Sequence, residues 1–168
     1  HLLLSLEDMR IAFSGIHLEM ISLFFHPDTS ALPLASLLFA YAKEQGIKSE
    51  EFTGCIGPDP LGALAVKGTL PISLEQSYKE MAALTAYTIK KNLPLQTILV
   101  QGHPYHESGG NAVQEIAFSI ATGIDYIRNL QKLGLELDAI APRFRFSLSI
   151  GSNYFMEIAK LRSFRHLW

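Results

Sequence analysis

The chain has 168 residues and a mass of 18.6 kDa, enough for one domain with a sizeable core, and 14 Lys and Arg against 16 Asp and Glu leave a formal charge of −2. That balance, with no pooled basic stretch, argues against an electrostatic nucleic-acid binder or a polybasic membrane anchor. Hydrophobic residues make up 48% and charged residues 18%, the latter below the usual value of about 25%, which speaks against intrinsic disorder and for surplus apolar surface.

Two long uncharged stretches, Thr29 to Ala42 and Asn92 to His106, are shorter than the roughly 18 apolar residues a membrane span needs, and both are interrupted by Pro or polar side chains. A lone Cys55 permits no internal disulfide and fits a reducing, cytoplasmic setting. The opening His1-Leu2-Leu3-Leu4 has no basic segment of the kind that precedes a signal peptide's apolar run, and His1 in place of Met suggests a start partway along a longer chain. The last helical stretch, 152 to 168, reaches Trp168 without a stop signal, which carries the same expectation.

Ser5 to Phe13 reads as a first helix and Met20 to Phe25 as a first strand. A helix from Ser30 to Gln45 follows, with Pro33 in its first turn, and then a strand from Phe52 to Gly57. Ser73 to Asn92 is a helix opened by a Ser73/Gln76 capping box, with Leu74, Tyr78, Met81, Ala82 and Leu84 on one stripe. Asn92 and Pro94 end it, and Gln96 to Gly102 has the continuous apolar character of a strand covered on both faces. Asn111 to Leu133 is a long helix with Val113, Ile116, Ala117, Ile120, Ile124 and Ile127 assigned to its inward side and Gly134 as a left-handed stop. A fourth strand, Arg143 to Gly151, precedes the final helix.

Strand starts at 20, 52, 96 and 143 lie 32, 44 and 47 residues apart, so eight such units would fill a (β/α)8 barrel of ordinary size. Four units make a partial barrel, although periodicity alone leaves a small open doubly wound sheet as an alternative. In either case ligands meet the carboxyl ends of the strands. The residues there are His26-Pro27-Asp28-Thr29, Gly57-Pro58-Asp59-Pro60, His103-Pro104-Tyr105-His106-Glu107 and Ser152-Asn153. His103, His106 and Glu107 could be read as a metal or acid–base cluster, but nothing nearby in sequence completes a metal's first shell, and a plain loop is the simpler reading. Gly109-Gly110-Asn111 opens a helix without the spacing of a phosphate-binding loop. Asp59 suits a turn brace better than a proton abstractor, and mid-strand Cys55 suits a buried apolar group.

The run His106-Glu107-Ser108-Gly109-Gly110-Asn111-Ala112-Val113-Gln114-Glu115, together with Glu157-Ile158-Ala159-Lys160-Leu161-Arg162 through Leu167-Trp168, closely resembles methylmalonyl-CoA mutases. Glu7-Asp8-Met9-Arg10, Lys43-Glu44-Gln45-Gly46 and Gly134-Leu135-Glu136-Leu137-Asp138 are similar to further family segments, so the likeness runs almost the whole chain. The resemblance implies that residues 1–168 are the central part of one TIM-barrel domain threaded by an acyl-CoA. It also implies a cobalamin-binding domain outside this segment, and rearrangement of methylmalonyl-CoA and succinyl-CoA by the holoenzyme with adenosylcobalamin. No cofactor is expected on the segment itself.

The same resemblance places several family site residues on altered positions. A substrate-contacting amide falls on Gly57 within Ile56-Gly57-Pro58-Asp59, and the Arg that holds the substrate carboxylate falls on Lys67, which lacks Arg's bidentate fork. The Gly-Tyr-His of the third strand falls on Gly102-His103-Pro104, and an Ala-His-Asn-Asp segment falls on Ile150-Gly151-Ser152-Asn153. With Gly57, Lys67, His103, Pro104 and Gly151 degenerate, the chain is similar to the small, non-catalytic subunit of heterodimeric mutases, whose large subunit holds substrate and cobalamin. An active mutase with a divergent site, and an unrelated α/β module binding a metal or ligand through His103, His106 and Glu107, are the alternatives.

Overall fold

Parallel strands need long crossovers, and the helical segments between the apolar runs supply them. The computed structural model describes residues 3–168; His1 and Leu2 of the apolar opening lie outside the described residues. In chain order come α1 Leu6–Ala12, β1 Ser22–Phe24, α2 Ala31–Gln45, β2 Thr53–Cys55, α3 Pro60–Lys67, α4 Leu74–Lys90, β3 Leu95–Gln96, β4 Ile98–Gln101, α5 His103–Glu107, α6 Ala112–Lys132, α7 Leu137–Ile140, β5 Phe144–Ser147 and α8 Tyr154–Leu167. Strand β1 pairs in parallel with β2, β2 with β3, and β4 with β5.

The expected third strand is therefore one extended run divided at Thr97. Its first part faces β2 and its second part faces β5. At the changeover the Thr97 N–H donates to the Arg143 carbonyl at 3.0 Å, and its buried hydroxyl lies 2.8 Å from that of Thr85. Every sheet neighbour is the next strand along the chain, whereas a doubly wound sheet reverses its order at a switch point. The architecture is a partial TIM-barrel-like α/β fold, and the open doubly wound alternative is set aside.

Local chemistry explains most boundaries. Ser5 with Asp8 and Asn111 with Gln114 form reciprocal capping boxes on α1 and α6. The box expected at Ser73 is only half made: Ser73 Oγ accepts from Gln76 N at 3.1 Å, while the Gln76 amide turns forward to Glu80 at 3.0 Å. Gly134 takes a φ of +89° just past α6, as its position predicts. Helices α3 and α5 occupy stretches where no helix was expected. Asp59 caps the first, with Pro60 in its first turn, and the second is a single turn led by His103-Pro104. Met20 belongs to a 3-10 turn over Leu18–Met20, so β1 is shorter than the expected strand.

Two cores lie between helices and sheet. Met9, Leu18, Leu23, Leu38, Phe52 and Leu84 belong to the first, and Met81, Ile98, Val100, Tyr126, Leu130 and Phe144 to the second. The inward side of α6 differs from the expected stripe. Its buried residues are Glu115, Ile116, Ser119, Thr122, Gly123, Tyr126 and Leu130, while Val113 is 72% and Ile124 39% exposed. Of the expected set only Ile116 is fully buried; Ile120 and Ile127 are half-buried and Ala117 is exposed. A buried ion pair and a tyrosine hydrogen bond, described below, turn the polar side of the helix inward.

Candidate functional site at the strand ends

The four segments that follow the strands gather at the carboxyl ends of the two sheets, where Asp59 N donates to the Asp28 carbonyl and Gly102 N to the Ser147 carbonyl. After β2, Asp59 is 1% exposed and accepts three hydrogen bonds, from the Tyr126 hydroxyl at 2.6 Å, Gly62 N at 3.0 Å and Gln101 N at 2.9 Å. Tyr126 in turn accepts from Leu61 N at 2.9 Å. One carboxylate thus ties the end of β2, the start of α3, the end of β4 and the middle of α6. Burial raises the Asp59 carboxyl above its ordinary value, opposed by the bonds from Tyr126, Gly62 and Gln101. Burial, then the charge of Asp59, pushes the Tyr126 phenol well up. The turn-brace reading of Asp59 holds.

Gly57 stands where a side chain has no room. A Cβ there would lie 2.6 Å from Leu99 N and 2.7 Å from Ile98 N, so the backbone of β4 occupies the space a side chain would need. Lys67, at the end of α3, makes a 2.5 Å ion pair with Asp28 in the segment after β1. Asp28 holds a left-handed φ of 51°, unusual for a residue with a side chain, and its carbonyl accepts from Asp59 N at 3.2 Å. His26 Nδ1 lies 3.3 Å from Gln101 Oε1. His103 and Pro104 form the first turn of α5, where Pro104 is buried and His103 partly so.

The densest chemistry surrounds Glu115, Glu157 and Lys160, which stand in family-like runs of the sequence but were assigned to no site. Glu115 and Lys160 side chains are wholly buried and 2.9 Å apart, and Glu157, 11% exposed, reaches the same ammonium at 2.5 Å. Lys160 also donates to the Ser149 carbonyl at 2.6 Å, and Ser149 N donates to Glu115 Oε1 at 2.7 Å, so the group fixes the segment that follows β5. Burial works to lower the Lys160 ammonium, but the carboxylates of Glu115 and Glu157 outweigh it and hold it above its ordinary value. The hydrogen bond from Lys160 in turn holds Glu157 low. Gly102 and Gly151 border this group. A Cβ on Gly102 would meet Glu115 Oε1 at 2.6 Å, and one on Gly151 would meet Glu157 Oε1 at 3.1 Å. His106 Nδ1 is 3.9 Å from Glu115 Oε2. Charges on an amphipathic helix normally face solvent. The three-residue spacing of Glu157 and Lys160 is a local hint of their pairing.

This arrangement braces loops. Cys55 is buried, and burial pushes its thiol up to about 11, so it is no nucleophile at neutral pH. Among the described residues no three His, Cys, Asp or Glu side chains converge as a metal site requires, so His103, His106 and Glu107 do not assemble into one. Asn111 caps α6 itself, accepting from Gln114 N at 3.0 Å, and Gly109-Gly110-Asn111 is a helix start closed by its own side chains. Asn153 likewise caps α8, accepting from Met156 N at 3.3 Å. Among the described residues no helix is long and apolar enough to cross a membrane.

Fold and strand ends together define a segment of a parallel α/β barrel-like protein whose strand-end loops are held by internal caps and ion pairs. The chain belongs to the methylmalonyl-CoA mutase family, whose description, Methylmalonyl-CoA mutase, matches residues 3–168. It is 37% identical over 164 residues to the methylmalonyl-CoA mutase large subunit of Propionibacterium freudenreichii subsp. shermanii, a match covering 98% of this chain and 22% of that protein. It is 37% identical to the large subunit of Streptomyces virginiae and 36% identical to the mitochondrial methylmalonyl-CoA mutase of Bos taurus, with the same coverage. The chain thus spans about a fifth of the length of the curated relatives it matches. Membership sets aside the unrelated α/β metal- or ligand-binding module.

Proposed function

We propose that this chain is the central part of the TIM-barrel domain of a small, non-catalytic mutase subunit. It would pair with a large subunit that holds the acyl-CoA and adenosylcobalamin and interconverts methylmalonyl-CoA and succinyl-CoA in the cytoplasm. The observation that carries the reading is at Gly57: the β4 backbone fills the space in which the family's substrate-contacting amide would stand. Lys67 adds to it, because its ammonium is already neutralised by Asp28. No adenosylcobalamin is expected on this segment itself. The cofactor, which supplies the radical chemistry when bound, belongs to the holoenzyme.

A second reading, an active mutase with a divergent site, draws support from the names of the relatives, which are large subunits and mitochondrial mutases. Turnover separates the two. The purified full-length chain is expected to convert no methylmalonyl-CoA alone and to form an active complex with a large subunit. Turnover by the chain alone at a rate comparable to the complex would establish the second reading.

A further inference from the structure

Helix α4 packs against α2 on one side and α6 on the other, so its outward face is not a raw edge of the fold. Gln76, Lys79, Ala83, Ala86, Tyr87 and Lys90 share that face at helical spacing, and all are exposed. The middle of the face is apolar and grooved. A groove of about 370 Å³ between α4 and α2 has Phe39, Ala83 and Tyr87 in its walls, and one of about 310 Å³ between α4 and the segment after α6 has Ala82, Ala86 and Leu135. Tyr87 is 42% exposed and lies against the Phe39 ring with centres 5.5 Å apart. The ends of the face are charged and opposite in sign. Glu75, at the amino end, reaches Lys79 of its own helix at 2.7 Å with its side chain still largely exposed, and Lys90 and Lys91 stand exposed at the carboxyl end.

We propose that the outward face of α4 is a self-association surface that seats α4 of a second copy of this chain, antiparallel, across a two-fold axis near Ala83. The charges select both the occupant and its direction. Ala83 lies midway between Glu75 and Lys90, which are about 22 Å apart along the helix. Turning the helix end for end therefore sets Glu75 of each copy opposite Lys90 of the other. A parallel pair would set Lys90 and Lys91 against their own counterparts, whereas the antiparallel pair also opposes the two helix dipoles. Small side chains at Ala83 and Ala86 let the two axes approach to the near end of the usual range of about 8–10 Å. A two-fold contact is isologous, so Tyr87 of each copy comes over the α2–α4 groove of the other, beside Leu32 and Ala83. This pairing goes beyond the association with a large subunit and does not depend on it. In the holoenzyme it gives two copies of this chain per assembly.

The full-length chain, purified with its large subunit, provides the test through the number of its copies per assembly, read by sedimentation and native mass spectrometry over a dilution series. Two copies are expected. Ala83→Arg forces an unpaired charge into the crossing and is expected to raise the concentration of half-dissociation at least about tenfold. Glu75→Lys and Lys90→Glu each bring like charges together twice, and each should weaken self-association by about threefold or more. Mixing those two variants should restore it, because each then presents the charge the other lacks. The charge reversals change exposed side chains and keep the test available if Ala83→Arg fails to fold. A single copy at every concentration overturns the proposal, as does a two-copy assembly that the three variants leave intact. Mixed charge variants that associate no better than either alone overturn the antiparallel pairing. If Ala83→Arg releases the large subunit while only one copy of this chain is present, the face belongs to that subunit and self-pairing is overturned.

Discussion

Around β1 and β2 the buried layer is apolar: Met9, Leu18, Leu23, Leu38 and Phe52 close over the strands, and Phe13 stacks near Tyr41 with ring centres 5.8 Å apart. Around β4 and β5 the same layer includes Glu115, Lys160 and Asp59, each buried and each hydrogen-bonded. The two regions fold on one plan but are specified differently. An apolar core tolerates substitutions that keep its volume, whereas a buried charge group fixes one geometry and responds sharply to loss of any member. The polar group also lies at the strand ends, holding the segments from which a barrel protein builds a site.

The sharpest way to break this contrast is Lys160→Ala in the full-length chain. It leaves Glu115 buried without its cation, and loss of one partner of such a pair costs about 3–5 kcal/mol. Equilibrium denaturation should show this, and Glu115→Gln combined with Lys160→Met should recover much of it. An effect below 1 kcal/mol for Lys160→Ala, by the surface-pair standard of about that size, would mean that the pair is in effect hydrated. On the apolar side, Leu38→Ala should cost about 2–5 kcal/mol through burial lost and cavity left, with no second change able to restore it by charge balance.

Next in size is Gly57→Ala. Its added Cβ meets backbone atoms of Ile98 and Leu99, which have no flexible end to yield, so a loss of about 1–3 kcal/mol or more is expected. A neutral substitution, measured by thermal or denaturant unfolding, would remove the steric part of the lost-site reading.

How much of this was legible in sequence follows the same division. The longer helices and the strands, the Ser73 half of the Ser73/Gln76 cap and the stop at Gly134 rest on local chemistry within a few residues, and they were readable, whereas the short helices α3, α5 and α7 were not. The inward side of α6 was not, because its burial is decided by partners on α3, its cap Asp59 and α8, far off in sequence. Apolar periodicity pointed to Val113 and Ile124, which are exposed, and away from Glu115 and Tyr126, which are buried. The same limit hid the Asp28–Lys67 pair, 39 residues apart, and the meeting of Phe24 with Arg145. The division at Thr97 escaped because an unbroken apolar run carries no mark of which neighbour each half will choose.

Titration sharpens the comparison further. The Asp59 carboxyl is raised in the folded chain by burial, so the folded state holds that proton more tightly than the unfolded state, whose ordinary value is 3.8. Its contribution favours folding fully below that value and is lost as pH rises through the folded value. Relative to the unaltered chain, Asp59→Asn should therefore gain stability as pH is raised from 3 towards neutrality. Paired unfolding curves at several pH values check the sign, and a difference that shrinks with rising pH would contradict the direction.

The smallest effect is expected at Lys67. Its partner Asp28 is 39% exposed and Lys67 itself 55%, so solvent screens the pair and its contribution should fall within about 0–1 kcal/mol. Lys67→Arg preserves the charge and should shift the unfolding midpoint little. It should also leave the purified chain without turnover, because groups that act as a unit are not restored one at a time, and Asp28 would meet the new guanidinium as it meets the ammonium. Product formed by Lys67→Arg alone would show that the strand-end face still holds the remaining contacts. The polar region would then be a site one residue short of working, and the buried charges of Glu115, Lys160 and Glu157 would be its support.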